Sequence, residues 1–260
     1  MLPVELTVVV PTYNERDRLG ALLERIFGMA AALPIAIEVI VVDDNSRDGT
    51  GALADDWARR CAVRVIHRLG KLGLGSAVVE GVASATSDLV VVMDADLSHP
   101  PEVLPSLYRA AIDRELDMVV ASRYVPGGGT TRWPLARRLL SRAGCALARP
   151  LTPIRDPTSG FFLIRRERAL SVGMSGGGFK IGLELLVRAP LRRVGELPYC
   201  FINREAGQSK MTVAEGLRYL RQLVRLHASV AFRALSRPAY LAIERRDEGR
   251  SRAALGGVGA

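Results

Sequence analysis

Lysine is nearly missing from this 260-residue chain: Lys71, Lys180 and Lys210 stand against 33 arginines. Positive charge therefore sits on planar guanidinium forks, which suit phosphate. A coding bias would give the same composition. Cysteine is scarce too. Cys61, Cys145 and Cys200 lie far apart with no CxxC pair, which argues against a disulfide framework or a zinc site and predicts reduced, buried thiols. Aromatic residues make up only 5%. No stretch reaches roughly 18 uninterrupted apolar residues, so no membrane span is expected. The opening MLPVELTVVVPTYNE has neither a basic start nor the apolar core of a signal peptide. These absences point to the cytoplasm and leave a membrane surface open. Acid is missing from one long region, with no Asp or Glu between Asp117 and Asp156.

Hydrophobic residues make up 48% and charged residues 24%, a globular composition that excludes a disordered or collagen-like chain. The net charge is +9, so acidic partners are expected: nucleic acid, anionic lipid or phosphorylated ligands. Nucleic acid would call for a known module or aromatic stacking platforms. Neither is visible, so no nucleic-acid partner is expected.

Strand and helix patterns alternate through the first 122 residues. Strands are expected at Leu6–Val10, Val39–Val42, Val63–His67, Leu89–Met93 and Met118–Ala121. Helices are expected around Leu19–Phe27, Asp48–Arg60, Gly73–Ala85 and Pro101–Arg114. Alternation with apolar strands predicts an α/β fold: a mainly parallel central sheet with helices on both faces. Ligands bind such sheets beyond the carboxyl ends of the strands. The polar motifs PTYNE, DDNSRDGT and DADLSHP fall there. The residues Arg132–Arg149 read as a basic amphipathic helix. A second basic helical pattern starts at Thr212 and meets Pro238. The expected division is a domain over 1–212, a basic amphipathic helical region over 213–243 and a disordered tail over 244–260.

Asp94 and Asp96 project to one side of an extended segment. A divalent cation between them would remove their repulsion, and hard oxygen donors suit Mg²⁺ or Mn²⁺. Such a cation can clamp a diphosphate leaving group. Asp44 ends an apolar strand, where a carboxylate can accept from a base or ribose. Asp48 is expected to cap a helix. Tyr13 can stack near a base, and the same turn can be structural with Asn14 as cap. The turn after the first strand lacks the glycines of a dinucleotide-binding fold. The GKLGLGS loop at Gly70–Ser76 lacks a P-loop ending and serves equally as structure or as an anion site at a helix start. Arg123, Arg204, Lys180 and Lys210 read as isolated cations in polar or Gly/Ser-bearing stretches.

Eight segments in order, PTYNE, VVDDNSRDGT, MDADLSHPPE, ASRY, RWPLARRLLS, RDPTSGFF, GFK and REAGQSKM, resemble the family 2 (GT-A) glycosyltransferases. Within them the chain is similar to the polyprenyl-phosphate hexose synthases of the dolichyl-phosphate mannose type, from about Leu6 to Met211. The resemblance implies donor contacts at Pro11, Tyr13, Glu15, Val42, Asp44, Asp94, Ala95, Lys180, Arg204 and Lys210. It implies metal ligands at Asp94, Asp96 and Ser98, the last standing where the family often has Gln. Arg123, Arg137 and Ser141 would hold the acceptor phosphate, with Asp96 and Arg123 as the catalytic pair.

The implied reaction is inverting transfer of mannose from GDP-mannose to a dolichyl or polyprenyl phosphate. The cofactor is Mg²⁺ or Mn²⁺. The setting is the cytoplasmic face of a membrane, with or without a membrane-protein partner. A phosphate acceptor is largely ionised at neutral pH, so neither His99 nor Glu15 is assigned as base. Rival expectations are UDP-glucose as donor to undecaprenyl phosphate, a hydroxyl acceptor needing a base, and a non-catalytic basic membrane binder.

Overall fold

A computed structural model describes residues 4–30, 35–173, 180–203, 213–231 and 239–242. Its first half alternates β1 (Leu6–Thr12), α1 (Arg16–Ala30), β2 (Ile37–Asp43), α2 (Thr50–Ala58), β3 (Val63–His67), α3 (Leu74–Ser84) and β4 (Leu89–Val92). A 3₁₀ turn at Pro101–Val103 then leads into α4 (Leu104–Asp113) and β5 (Met118–Ser122). The second half holds β6 (Gly129–Thr130), α5 (Leu135–Ala148), β7 (Phe162–Arg165), α6 (Arg166–Leu170) and α7 (Ile181–Arg188). It ends with β8 (Arg193–Pro198), β9 (Cys200–Phe201), α8 (Val213–Ala231) and β10 (Ala239–Ala242).

Eight strands form one sheet in the order β10-β8-β5-β7-β4-β1-β2-β3, and β6 pairs with β9 in a small separate ribbon. All neighbours in the large sheet run parallel except β7, which is antiparallel to both β4 and β5. Pure strand–helix alternation does not anticipate this insertion. The short run FLIR carries no alternation of its own, and its place between β4 and β5 is a long-range outcome.

Side-chain alternation builds two cores from the same strands. Val8, Val10, Val39, Val41 and Val91 face one layer with Leu19, Leu22, Leu23 and Ile26 of α1. Val9, Ile40, Val42, Val90 and Val92 face the other with Ala77, Val78 and Val82 of α3. Helix α3 lies very close to β1. A Cβ at Gly81 would stand 2.4 Å from Val9 Cγ1, so only glycine fits this contact.

Buried carboxylates tie the ends of the sheet. Glu38 Oε1 accepts from Thr7 Oγ1 at 2.7 Å and from the Thr86 N–H at 3.0 Å. Asp117 accepts from Arg168 Nε at 3.0 Å and from the backbone N–H groups of Arg192 and Arg193. Burial opposes ionisation of Asp117. The hydrogen bonds from residues 192, 193 and 168 outweigh it and hold the carboxyl below its ordinary value.

Helix α8 packs by one face only. Leu223 and Leu226 pack on Ala148 of α5 and Leu183 of α7. Leu217, Leu220 and Val224 remain 51%, 49% and 69% exposed. One face is core and the other is uncovered. The helical region expected over 213–243 is corrected at its end. Ala239–Ala242 is a strand, parallel to β8 at the sheet edge. In the sequence, Pro238 disfavours a continuous helix running into AYLA. The expected tail 244–260 lies outside the described residues.

Asp117→Asn should lower stability by about 1–3 kcal/mol in a urea melt. The native pKa is depressed, so the stabilisation is full above the unfolded value near 3.8 and is lost as pH falls through the native value. The gap between wild type and variant should therefore close in acid.

Candidate active site

The loops at the carboxyl edge of the sheet are held by the acids that end the strands. Asp43 Oδ1 accepts from Thr12 Oγ1 at 3.0 Å, and its Oδ2 accepts from the Ser46 N–H at 3.0 Å. Asn14, in the left-handed region at φ 55°, donates its N–H to Ser46 Oγ at 2.8 Å. Its Oδ1 accepts from the Arg47 N–H at 3.0 Å. Asp48 accepts from the Thr50 N–H at 3.0 Å and the Arg16 N–H at 3.1 Å, so it serves the starts of α2 and α1 together. Burial raises its pKa, and the bonds from Thr50 and Arg16 win and lower it.

Asp44 is placed differently from a freely offered nucleotide ligand. Its carboxylate is buried, bonded to Arg68 and to the Gly73 N–H at 2.8 Å. Gly73 precedes α3 at φ 98°, a conformation that glycine adopts without strain. Asp44 thus pins the glycine loop, whose role the sequence left open.

Beyond β4, Leu97 adopts φ 64°. This turn brings the Ser98 N–H to 2.9 Å from Asp96 Oδ1, and Ser98 Oγ donates to the same oxygen. Ser98, expected as a metal ligand, orients Asp96 through its hydroxyl O–H. His99 is buried against Phe161, with ring centroids 5.0 Å apart, and edge-on to Tyr199 and Phe201. Its Nδ1 accepts from the Asp94 N–H at 3.0 Å, which leaves the proton on Nε2, 3.9 Å from Asp94 Oδ2. Burial lowers the His99 pKa against the opposing pull of Asp94 and Asp96. A neutral, aromatic-clamped histidine of this kind fixes the loop that carries Asp94.

A cavity of about 300 Å³ collects Pro11, Thr12, Tyr13, Glu15, Asp44, Lys71, Gly73, Leu74, Ala77, Asp94, Ala95 and Asp96. Six expected donor contacts meet there, Pro11, Tyr13, Glu15, Asp44, Asp94 and Ala95, together with the expected metal ligand Asp96. Val42 does not line it. Its side chain is in the α3 core, and its carbonyl accepts from Thr12 Oγ1 at 3.4 Å. Lys71 was not among the expected donor contacts. Its Nζ sits 3.8 Å from the Tyr13 ring centroid, a cation–π contact that puts positive charge at the cavity wall. Among the described residues, no cluster of three or more His, Cys, Asp or Glu side chains is suited to a metal. Asp94 and Asp96 supply two hard oxygen donors. That set fits Mg²⁺ or Mn²⁺ completed by phosphate oxygens and water.

Arg123 is not the isolated cation the sequence suggests. It is bidentate to Asp156, with Nε to Oδ2 at 2.7 Å and Nη2 to Oδ1 at 2.6 Å. Its backbone N–H also donates to Asp156 Oδ2 at 2.9 Å. Asp156 is fully buried. Burial raises its pKa, but Arg123 overrides that and keeps it below the ordinary value. Glu196 accepts from the backbone N–H groups of Arg155 and Asp156 at 2.8 and 3.0 Å. Arg137 lies 4.0 Å from the Trp133 ring centroid and donates to Asn203 Oδ1 at 3.0 Å. Ser141 Oγ shares a 2.7 Å bond with Tyr124 Oη.

Lys180 precedes α7, with its backbone N–H and C=O both bonded to the Gln222 amide at 2.9 Å. Burial and the Arg123 charge push its ammonium pKa down, with Asp94 and Asp156 acting the other way. Arg204 and Lys210 lie outside the described residues. Sequence reasoning gave no role to Asp156, Glu196 or Trp133, and weighed His99 only as a base. The one available signal was that Asp156 is the first acid after Asp117.

A mostly parallel sheet, with a cavity at its carboxyl edge and two carboxylates just beyond a central strand, defines the GT-A class of sugar-transfer fold. The family model described as glycosyl transferase family 2 matches residues 7–181, and the chain belongs to that family. It is 40% identical over 227 residues to a dolichol-phosphate mannosyltransferase of Pyrococcus furiosus, covering 86% of this chain and 64% of that protein. The chain thus spans under two thirds of that relative. It is 39% identical to a dolichol-phosphate mannosyltransferase of Saccharomyces cerevisiae, covering 87% of this chain and 88% of the other. An undecaprenyl-phosphate mannosyltransferase of Micrococcus luteus is 36% identical, covering 80% of this chain and 88% of its own.

Among solved structures, a mannosyltransferase from Pyrobaculum calidifontis, in complex with GDP-Man and Mn²⁺, aligns with TM-score 0.62. It shares 21% identity, covering 92% of this chain and 68% of that one. Glucosyl-3-phosphoglycerate synthase from Mycobacterium tuberculosis, with Mn²⁺ and UDP, aligns with TM-score 0.61 at 21% identity, covering 87% and 79%.

Asp156→Ala should cost about 3–5 kcal/mol, because it strands the buried Arg123 charge; chemical denaturation measures it. Burial pushes the Cys145 thiol up to about 11, while Cys200 is exposed. The expectation of buried thiols fails at Cys200. A disulfide reagent at pH 8 should label Cys200 rapidly and Cys145 only on unfolding.

Proposed function

We propose that this chain transfers mannose from GDP-mannose to a polyprenyl or dolichyl phosphate, with inversion at the anomeric carbon. The observation that carries the reading is the cavity that joins the PTYNE turn to the Asp94–Asp96 pair. The names of the curated relatives support the sugar and the acceptor class.

The donor's base would lie by Tyr13, with Lys71 beside it. Asp94 and Asp96 would hold Mg²⁺ or Mn²⁺, which supplies charge neutralisation for the departing nucleoside diphosphate. Ser98 and His99 set the aim of those carboxylates. Arg123 and Arg137 would receive the acceptor phosphate, with Ser141 as a further donor. Asp156 occupies Nε and Nη2 of Arg123, so the guanidinium is fixed before substrate arrives. Such preorganisation lowers a barrier without reorienting dipoles during reaction. Lys180, electrostatically coupled to Arg123 and Asp94, would screen the donor against the acceptor. Arg204 and Lys210 would close on the donor phosphates. The acceptor phosphate is an ionised nucleophile and needs no base, which agrees with His99 being committed to the Asp94 N–H.

Association with the cytoplasmic face of a membrane belongs to this reading, with or without a membrane-protein partner. Leu135, Leu139, Leu140 and Leu147 of α5 are exposed at 72%, 58%, 54% and 51%, and no helix among the described residues is long and apolar enough to cross a membrane.

Purified protein with Mg²⁺ or Mn²⁺ and a short polyprenyl phosphate should move radiolabel from GDP-mannose, and not from UDP-glucose, into organic-extractable lipid. Label from UDP-glucose alone would overturn the donor. Asp96→Ala should abolish transfer while the protein stays folded. Arg137→Ala should raise the KM for the lipid phosphate about tenfold or more, the loss of one charge-assisted bond, with little change for GDP-mannose. Arg123→Ala is a poorer probe, because it also leaves Asp156 buried and unpaired.

A further inference from the structure

Sheet order gives the donor cavity a direction. Asp94 and Asp96 follow β4, Tyr13 follows β1 and Asp44 follows β2, and these three strands are consecutive neighbours. Strands lie about 4.8 Å apart, so the β2 end is about 10 Å from the carboxylate pair. That span suits a nucleoside, with its diphosphate at Asp94 and Asp96 and its base at the β2 end. The loop 69–75 walls this end. Asn45 Nδ2 donates to the Leu69 C=O at 3.4 Å, and the Gly73 N–H donates to Asp44 Oδ2 at 2.8 Å. The buried Arg68 donates to the Gly73 C=O at 3.3 Å and to Ser76 Oγ at 2.6 Å. The loop is thus held on both sides of Lys71.

Lys71 is the only polar side chain among residues 69–75. Leu69 and Leu72 stand out in solvent, whereas Lys71 Nζ lies over the Tyr13 ring. It is the single cation among the residues lining the cavity, which include four carboxylates. Two of those carboxylates have arginine partners, Asp44 with Arg68 and Glu15 with Arg18. Asp44 offers acceptors only, so the charged donor at the base end is Lys71. A cation–π contact at an exposed site is weak, and a base edge with paired acceptors can take the ammonium over. We propose, on the donor reading given above, that Lys71 selects a guanine base by donating to its O6 and N7. Guanine presents these two acceptors side by side, and adenine replaces O6 with an amino donor. Uracil offers O4 alone. An ammonium carries donors only, so it rewards guanine and opposes the adenine amino group.

The test is calorimetric titration of the full chain, in Mn²⁺, with GDP, 7-deaza-GDP, UDP and ADP. Wild type should bind GDP most tightly, and 7-deaza-GDP, which lacks the N7 acceptor, more weakly. In Lys71→Met, GDP should bind about fivefold or more weaker. UDP should lose less, and the gap between GDP and 7-deaza-GDP should close. Lys71→Arg should keep most of that gap, because its fork meets the same two acceptors. Lys71 is exposed, so the unfolding midpoint should not move; if it does in Lys71→Met, Lys71→Ala takes its place. Equal losses for GDP, UDP and 7-deaza-GDP would put Lys71 on the diphosphate and overturn its role at the base. GDP and 7-deaza-GDP bound alike by wild type, or a gap that survives in Lys71→Met, would also overturn it. Wild type that prefers UDP, or binds no nucleotide, would instead overturn the donor reading on which this role rests.

Discussion

The pairing of Arg123 with Asp156 is the contact on which the proposed acceptor side depends. An unpaired carboxylate at zero exposure would be untenable, and a guanidinium among Tyr124, Trp133 and Phe201 would turn freely without it. Together they join the end of β5 to the loop that precedes β7. Glu196 on β8 holds that loop from behind by two backbone bonds. The pair is costly to bury and gives no large net stability. Its return is geometric, because it fixes one cation at the edge of the sheet.

The donor side uses the same device with different acids. Asp43 accepts from the Ser46 N–H of its own loop, and Asp44 and Asp48 accept from the Gly73 and Arg16 N–H groups of neighbouring loops. Parallel strands end together, and their loops have no ladder partners of their own. Carboxylates placed at the strand ends satisfy those donors and set the loop shapes. The cavity between Tyr13, Lys71 and Asp94 is the space that these fixed loops leave.

The first five strands were legible because apolar runs with sharp polar ends need only local information. The boundaries fell within two residues at β1 through β5. The antiparallel β7 was not legible, because its position between β4 and β5 is set by sheet closure and not by FLIR itself. The same holds for the partners of charged residues. A spacing such as Asp94–Asp96 is local and could be read. Arg123 was read as free because its partner lies 33 positions away. The bond between Asp44 and Gly73 was equally hidden, because the two lie 29 positions apart. The bond from Ser98 to Asp96 was not legible, because a motif position does not reveal that Leu97 turns the hydroxyl back onto that carboxylate. The side chain of Val42 was hidden by the two-residue period, which sends it into the core when its neighbour Asp43 faces the loops.

The antiparallel course of β7 has a consequence for how the molecule is partitioned. The chain leaves the sheet at Arg123 and re-enters it at Phe162, on the same edge. Everything between, including α5, is a single excursion. Beyond the β5–β7 ladder its base is clasped by Arg123 and Asp156. Such a segment can be lengthened, shortened or rewritten while the strands that carry Tyr13, Asp44 and Asp94 keep their register. The fold thus separates the side that reads the sugar donor from the side that meets the recipient, and lets the second be exchanged like a fitting on a fixed mount.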